Sequence, residues 1–137
     1  MRRHFWLLIL IAALAAGCAT SPPARYYTLS GAPAPAAPAS GVTVGVGPVA
    51  IPAAVDRPEI VVAVHENEVW LDEFNRWAAP LADGIALAVA ADLAAQLATP
   101  RVVLLAQAGA GTEYRVALDV QRFESAPGSH ALVDVAW

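Results

Sequence analysis

Cys18 is the only cysteine in the 137-residue chain, so its thiol has no partner for an internal disulfide. Arg2 and Arg3 precede an uninterrupted apolar run, residues 5–16, and small residues then lead into Cys18. A charged head, a short apolar run and small residues before a fixed position are typical of an export signal. The run is too short to cross a bilayer, which needs about 20 apolar residues. The sequence therefore predicts that residues 1–17 are a signal peptide.

Few other residues have the types and spacing that a catalytic, metal-binding or phosphate-binding site requires. His65, Glu66 and Glu68 could ligate a metal, but neighbours on a strand alternate faces and no second cluster completes the site. The chain contains no G-x-S-x-G nucleophile turn. Its glycine-rich stretches "GVGP" and "GAGTE" do not lead into a helix as a phosphate loop would. We therefore expect no catalytic site, metal or cofactor, and we rank a periplasmic hydrolase far behind the other functions.

The charge of the chain also excludes some partners. It has twelve acidic residues and eight basic ones, all arginine, for a net charge of −4. Two of the arginines lie within residues 1–17, so the remaining body is more acidic still. An acidic surface argues against nucleic acid as the main partner. The length indicates a single domain.

The region after Cys18 predicts a tether, residues 18–41, that holds one short strand. Proline and small residues favour extended, solvated chain. Two tyrosines and a leucine interrupt this composition and predict a strand, Tyr26–Leu29, that docks on the main body.

Residues 42–137 predict one α+β domain. Alternation predicts a strand over 42–47 that ends or reaches a sheet edge at Pro48, and a hairpin follows with strands 60–64 and 69–71. Residues 75–101 predict one helix, with Pro80 in its first turn and an apolar residue at every fourth position from Leu81 to Leu97. Further strands are expected at 101–105, 113–124 and 130–137. These elements indicate a mixed or antiparallel sheet with one long helix packed on one face.

Three aromatic residues, Trp70, Phe74 and Trp77, lie between the hairpin and the helix. They either pack the start of the helix onto the sheet or form an exposed anchor for a partner protein. Arg57 and Arg76 fit both interpretations: each could pair with Asp56 or Asp72, or contact a partner at the rim.

The stretch "LAAGC" resembles a bacterial lipobox, in which cleavage precedes the cysteine and acyl chains are added to it. Ala15 occupies the place where the lipobox has leucine, and Leu14 lies one residue earlier. Several acyl chains, at about 0.8 kcal/mol per buried methylene, make such an anchor stable. Ala19, in the place of the aspartate that retains lipoproteins in the inner membrane, favours the periplasmic face of the outer membrane.

The ordered stretches "YYTL", "VGVGPVAIPAAVDRPEIV" and "NEVWLDEFNRWAAPLADGI" are similar to the PqiC family of ABC-type transport auxiliary lipoproteins. Members of that family continue for several dozen residues beyond the position of Trp137, so we expect a C-terminally truncated chain. The matching motif positions are Cys18, for lipidation, and a set of candidate structural or contact residues. These are Asp56, Arg57, Pro58, Arg76, Trp77 and Pro80.

The resemblance implies a non-enzymatic role. Such a protein docks an MCE-domain protein that spans the periplasm, and it supports lipid transport and envelope integrity. The resemblance also makes a homo-oligomeric ring an expectation. The alternative is a generic structural or assembly lipoprotein of the envelope that has no transporter partner.

Overall fold

The computed structural model describes residues 21–33, 41–106 and 111–137. The predicted signal peptide, Cys18 and residues 34–40 of the predicted tether lie outside these ranges. The described elements are, in chain order, β1 (Arg25–Tyr27), β2 (Val44–Ala50), β3 (Glu59–His65), β4 (Glu68–Trp77), α1 (Leu81–Gln96), β5 (Val102–Leu104), β6 (Tyr114–Ala126) and β7 (His130–Ala136).

The strands form two sheets. Sheet A has the order β1-β4-β3, with β1 parallel and β3 antiparallel to β4. Sheet B has the order β5-β2-β6-β7, in which β2 is parallel to both of its neighbours and β7 is antiparallel to β6. The helix packs on β2 and β5, and β3 packs on β6. The predicted α+β class, with mixed pairing and one long helix on a sheet face, is confirmed.

The core forms where the apolar stripe of α1 meets the alternating residues of sheet B. Leu81 and Ile85 are buried against Val46, Leu118 and Val120. The β6 residues of opposite parity that precede Arg122, namely 115, 117, 119 and 121, are exposed, as the alternation predicts. In the described ranges no helix is long and apolar enough to span a membrane.

The predicted start of the helix was wrong. Residues 75–77 belong to β4, and the helix begins at Leu81, so Pro80 precedes it instead of lying within its first turn. Pairing across the hairpin extends the strand this far: Glu59 lies opposite Arg76, and the Trp77 N–H donates to the Pro58 carbonyl over 2.7 Å.

Of the two outcomes predicted at Pro48, an end of the strand was wrong, whereas β2 does reach an edge on its β5 side there, because its pairing with β5 extends only to Val46. β2 continues through Pro48 to Ala50. Its pairing with β6 shifts register between Val46 and Val49. Proline is tolerated at such an irregularity because no ladder N–H is needed there.

The C-terminal end of α1 is tied to β2. Ala98 adopts a positive φ of 47°, and the N–H of Thr99 donates to the Ala94 carbonyl over 3.1 Å, which closes the helix as a Schellman motif does. Thr99 is completely buried, and its hydroxyl donates to the Val42 carbonyl over 3.1 Å. The chain therefore turns directly from the helix into sheet B.

The segment after β1 packs along α1. Leu29 contacts the core and lies beside Gly84. Gly31 lies so close to the helix that a Cβ there would be 2.7 Å from the Cβ of Ala91 and would overlap the Ala88 carbonyl. The Ala32 N–H donates to the Asp92 carboxylate. The predicted tether is thus attached to the body at its described residues 29–32.

Gly31→Ala should destabilise the fold by about 1 to 3 kcal/mol, because the added methyl group forces this segment away from the helix. The measurement is urea denaturation followed by circular dichroism. Gly111→Ala is the matched control, since a Cβ at Gly111 meets no atom within 4 Å. Equal stability of the two variants would contradict the packing of Gly31 on α1.

Candidate partner-docking site

Two of the segments singled out in the sequence, 56–58 and 76–80, meet where sheet A reaches the start of α1. The backbone N–H of Trp77 donates to the Pro58 carbonyl, and the backbone N–H of the next residue, Ala78, donates to the Tyr27 carbonyl over 2.8 Å. A surface cavity of about 350 Å³ opens at this junction. Its lining consists of Asp56, Arg57, Pro58, Trp77, Ala78, Ala79, Pro80 and Leu81. We call it the Arg57 pocket.

Arg57 brings an unsatisfied donor to this pocket. Its side chain is half-buried, and its Nε is fully buried without a hydrogen-bond partner among the described residues. Within the same ranges its guanidinium forms no ion pair, although Asp56 lines the same pocket. A buried donor without an acceptor costs about 1 to 3 kcal/mol.

Trp77 forms the wall between the Arg57 pocket and a second cavity. Its ring is half-buried and meets Phe123 of sheet B edge to face, with centroids 6.2 Å apart and planes at 74°. The second cavity, about 260 Å³, lies between the two sheets. Apart from Glu124 and Ser125 its lining is apolar: Val55, Ile60, Val61, Trp77, Leu81, Phe123, Ala131 and Val133. Trp77 therefore contributes to both the core and the pocket.

The other two aromatic residues point elsewhere. Trp70 is 55% exposed and Phe74 is 39% exposed, and neither lines the Arg57 pocket. The three aromatic residues that the sequence places together are thus divided between an inward-facing ring at Trp77 and two outward-facing rings on β4.

Arg76 has a carboxylate partner that the sequence analysis did not name. Its NH2 donates to Glu59 Oε1 over 2.7 Å, across the hairpin. Asp72 instead accepts the side-chain amide of Asn75 over 2.7 Å and the backbone N–H groups of Phe74 and Asn75 over 3.1 and 3.0 Å. These bonds, led by that of the Asn75 side chain, lower the pKa of Asp72. Arg76 therefore holds the hairpin together, while Asp72 shapes an irregular stretch of β4.

The histidines do not assemble a catalytic group in the described structure. His65 Nε2 lies 4.0 Å from Glu68, on the β3–β4 hairpin. His130 lies on the other hairpin, with Nδ1 3.1 Å from the Ser129 hydroxyl and Nε2 3.9 Å from Glu124. Both carboxylate oxygens of Glu124 already accept from Arg122, each over 2.9 Å. Within the described residues, no three His, Cys, Asp or Glu side chains gather to hold a metal ion.

The Arg122 guanidinium, and to a lesser extent His130, holds the pKa of Glu124 below its usual value near 4.5. A carboxylate with a lowered folded-state pKa adds stability above its unfolded pKa and loses it as pH falls through the folded value. Arg122→Gln should therefore move the Glu124 titration upward toward 4.5. Carbon-detected NMR of the side-chain carboxyl groups measures this shift, with Asp72 as an internal reference. An unchanged Glu124 titration would contradict the pairing with Arg122.

Some residues of the site were missed in the sequence. Glu59, Leu81 and Phe123 each contact a candidate residue, but none carried a local signal of that role. A cross-strand partner for Arg76 could have been sought in the opposite arm of the predicted hairpin, which begins next to Glu59. The contact of Phe123 with Trp77 joins residues far apart in the chain, and no periodicity could have revealed it.

Comparison with known proteins identifies the class. Residues 27–137 match the family described as ABC-type transport auxiliary lipoprotein component. The match covers most of the chain, so the chain belongs to this family, and the predicted family is confirmed. The family points to a membrane-anchored auxiliary component that is associated with an ABC-type transporter.

Two solved structures share the fold. One, a crystal structure of an uncharacterised protein, has a TM-score of 0.60 at 18% identity, and the match covers 84% of this chain and 78% of that one. The other is a Xanthomonas campestris protein of the DUF330 family, with a TM-score of 0.59 at 25% identity. That match covers 80% of this chain and 62% of the other, so the chain spans less than two thirds of that protein's length. No curated protein shows significant sequence similarity to the chain.

Proposed function

We propose that this protein is a non-enzymatic lipoprotein of the outer membrane, anchored on the periplasmic face through acyl chains on Cys18. In this role it docks an MCE-domain protein that spans the periplasm, serves as the auxiliary subunit of its lipid transport system and supports envelope integrity. The observation that carries the proposal is membership of the auxiliary lipoprotein family over residues 27–137. The short apolar run that ends at Cys18 supports the anchor.

The Arg57 pocket is the proposed contact with the partner. Tryptophan and arginine dominate binding free energies at protein interfaces, and this pocket combines both with two prolines and two alanines. The guanidinium of Arg57, which forms no ion pair among the described residues, favours a carboxylate of the partner, because charged hydrogen bonds to such a group are strong. The ion pair of Arg76 with Glu59 supports the pocket from the adjoining strands.

A homo-oligomeric ring is part of the proposal. A rotational assembly repeats the same pocket around one axis, so several weak contacts with a symmetric partner act together. Each single contact then needs only modest affinity.

Cys18→Ala should release the protein from the membrane into the soluble periplasmic fraction, because the acyl chains have no other attachment site. Cell fractionation with immunodetection measures the distribution. Ala15→Leu restores the usual lipobox leucine and should retain the protein in the membrane. A Cys18→Ala variant that remains membrane-bound would contradict the lipid anchor.

Arg57→Gln should lower recovery of a co-expressed MCE protein with the tagged lipoprotein by about tenfold, as expected for loss of one interfacial charged hydrogen bond. Arg115→Gln is the matched control, since Arg115 is an exposed arginine on the outer face of sheet B. Circular dichroism checks that both variants fold. Equal recovery with Arg57→Gln and wild type would exclude the pocket as the contact. If the wild-type lipoprotein is recovered without the MCE protein, the chain is a generic envelope lipoprotein instead.

A further inference from the structure

The direction of β1 in sheet A relates the membrane anchor to the β3–β4 hairpin. β1 runs parallel to β4, with Arg25 opposite Asn75 and Tyr27 opposite Trp77. In a parallel pair, the residues that precede each strand lie toward the same end of the sheet. The described residues that precede β1, 21–24, and the tip of the hairpin therefore lie toward the same end of sheet A.

β1 is attached to β4, so only the part of the predicted tether that precedes Arg25 can separate Cys18 from the body. The Tyr27 carbonyl accepts the Ala78 N–H, and the Tyr27 hydroxyl donates to Asn75 Oδ1 over 2.8 Å. The last tether residues also lie beside the strand, since Pro22 and Ala24 line one surface cavity with Phe74. Only a few residues are therefore left to separate the body from Cys18.

The stretch of β4 from the hairpin turn to Asn75 is about as long as the chain from Cys18 to Arg25 at full extension. Seven residues lead from Cys18 to Arg25, and at full extension they span at most about 25 Å. Seven residues of β4 also lead from Glu68, next to the turn, to Asn75, and in a strand they span about 23 Å. The hairpin tip can therefore reach the level of the lipidated cysteine, which is the bilayer surface.

The tip exposes apolar side chains where this surface would lie. Val69 is 59% exposed, Trp70 is 55% exposed and Val64 is 48% exposed. Tryptophan favours the interface between headgroups and acyl chains, where its ring is apolar and its N–H remains hydrated. The turn itself is polar, with Glu66 and Glu68 exposed, and it suits a hydrated, zwitterionic headgroup layer better than an anionic one.

We propose that the tip of the β3–β4 hairpin contacts the zwitterionic lipid surface that holds the acyl chains of Cys18, with Val69 and Trp70 in the headgroup region. The inference rests on the lipidation of Cys18 proposed above. It fixes the orientation of the body: β4 begins at the membrane and ends about 30 Å away at Trp77, so the Arg57 pocket faces the periplasm.

The test uses the full lipidated chain, in which the acylated Cys18 is the only native cysteine. Asn67→Cys then provides one labelling site at the tip. Thr28→Cys provides a matched exposed site at the opposite end of sheet A, because Thr28 follows Tyr27, which lies opposite Trp77 at the end of β4. Each variant carries an environment-sensitive fluorophore and is reconstituted in phosphatidylcholine vesicles, with or without brominated acyl chains.

The emission of the label at position 67 should shift to shorter wavelength, and brominated lipid should quench it severalfold more than the label at position 28. Adding Trp70→Ser should remove most of this difference. Leu87→Ser, which replaces an apolar side chain that is also 55% exposed, should leave it unchanged.

Equal, aqueous emission from both labels, on protein that floats with the vesicles, would overturn the hairpin contact and leave the lipid anchor intact. Failure of the unlabelled wild-type chain to float with the vesicles would overturn the anchor, and with it both proposals.

Discussion

The contact between Trp77 and Phe123 joins the two sheets. Trp77 is the last residue of β4. Its backbone N–H donates to the Pro58 carbonyl, and its ring contacts Phe123 of β6 edge to face. The helix begins four residues later with Leu81, which is buried in the same core. Sheet A, sheet B and α1 therefore converge on one indole ring. This contact, together with the packing of β3 on β6, positions the surfaces of sheet A, including the Arg57 pocket, relative to the rest of the body.

The hydrogen-bond partners of the arginines distinguish the Arg57 pocket from the rest of this acidic protein. Arg76 pairs with Glu59, Arg122 pairs with Glu124, and Arg101 donates to the Gly41 carbonyl. Arg57 is half-buried and has no such partner in the described ranges. Elsewhere the negative charge disfavours anionic groups, so the proposed binding of a carboxylate at Arg57 depends on local geometry and not on the overall field.

Local patterns predicted the elements that depend on local chemistry. The four-residue spacing from Leu81 to Leu97 identified the helix, and alternation over β6 identified its buried face. The extent of β4 could not be read in this way, because Asp72 bonds to the backbone of Phe74 and Asn75 and disturbs the period of two. The motif segments 56–58 and 76–80 were found through family resemblance. That they line one pocket depends on β3 pairing with β4, and the unpaired state of Arg57 appears only in three dimensions.

The parallel attachment of β1 has a mechanical consequence. A pull on the chain that precedes Arg25 acts along the axis of β1, against β4, which belongs to the body. In this geometry the hydrogen bonds between the two strands are loaded together in shear, whereas an antiparallel hairpin pulled at its open ends would lose them one at a time. The Leu29 side chain in the core and Gly31 against α1 resist the same displacement. A strand of three residues can thus transmit tension from the chain that precedes it to the whole domain.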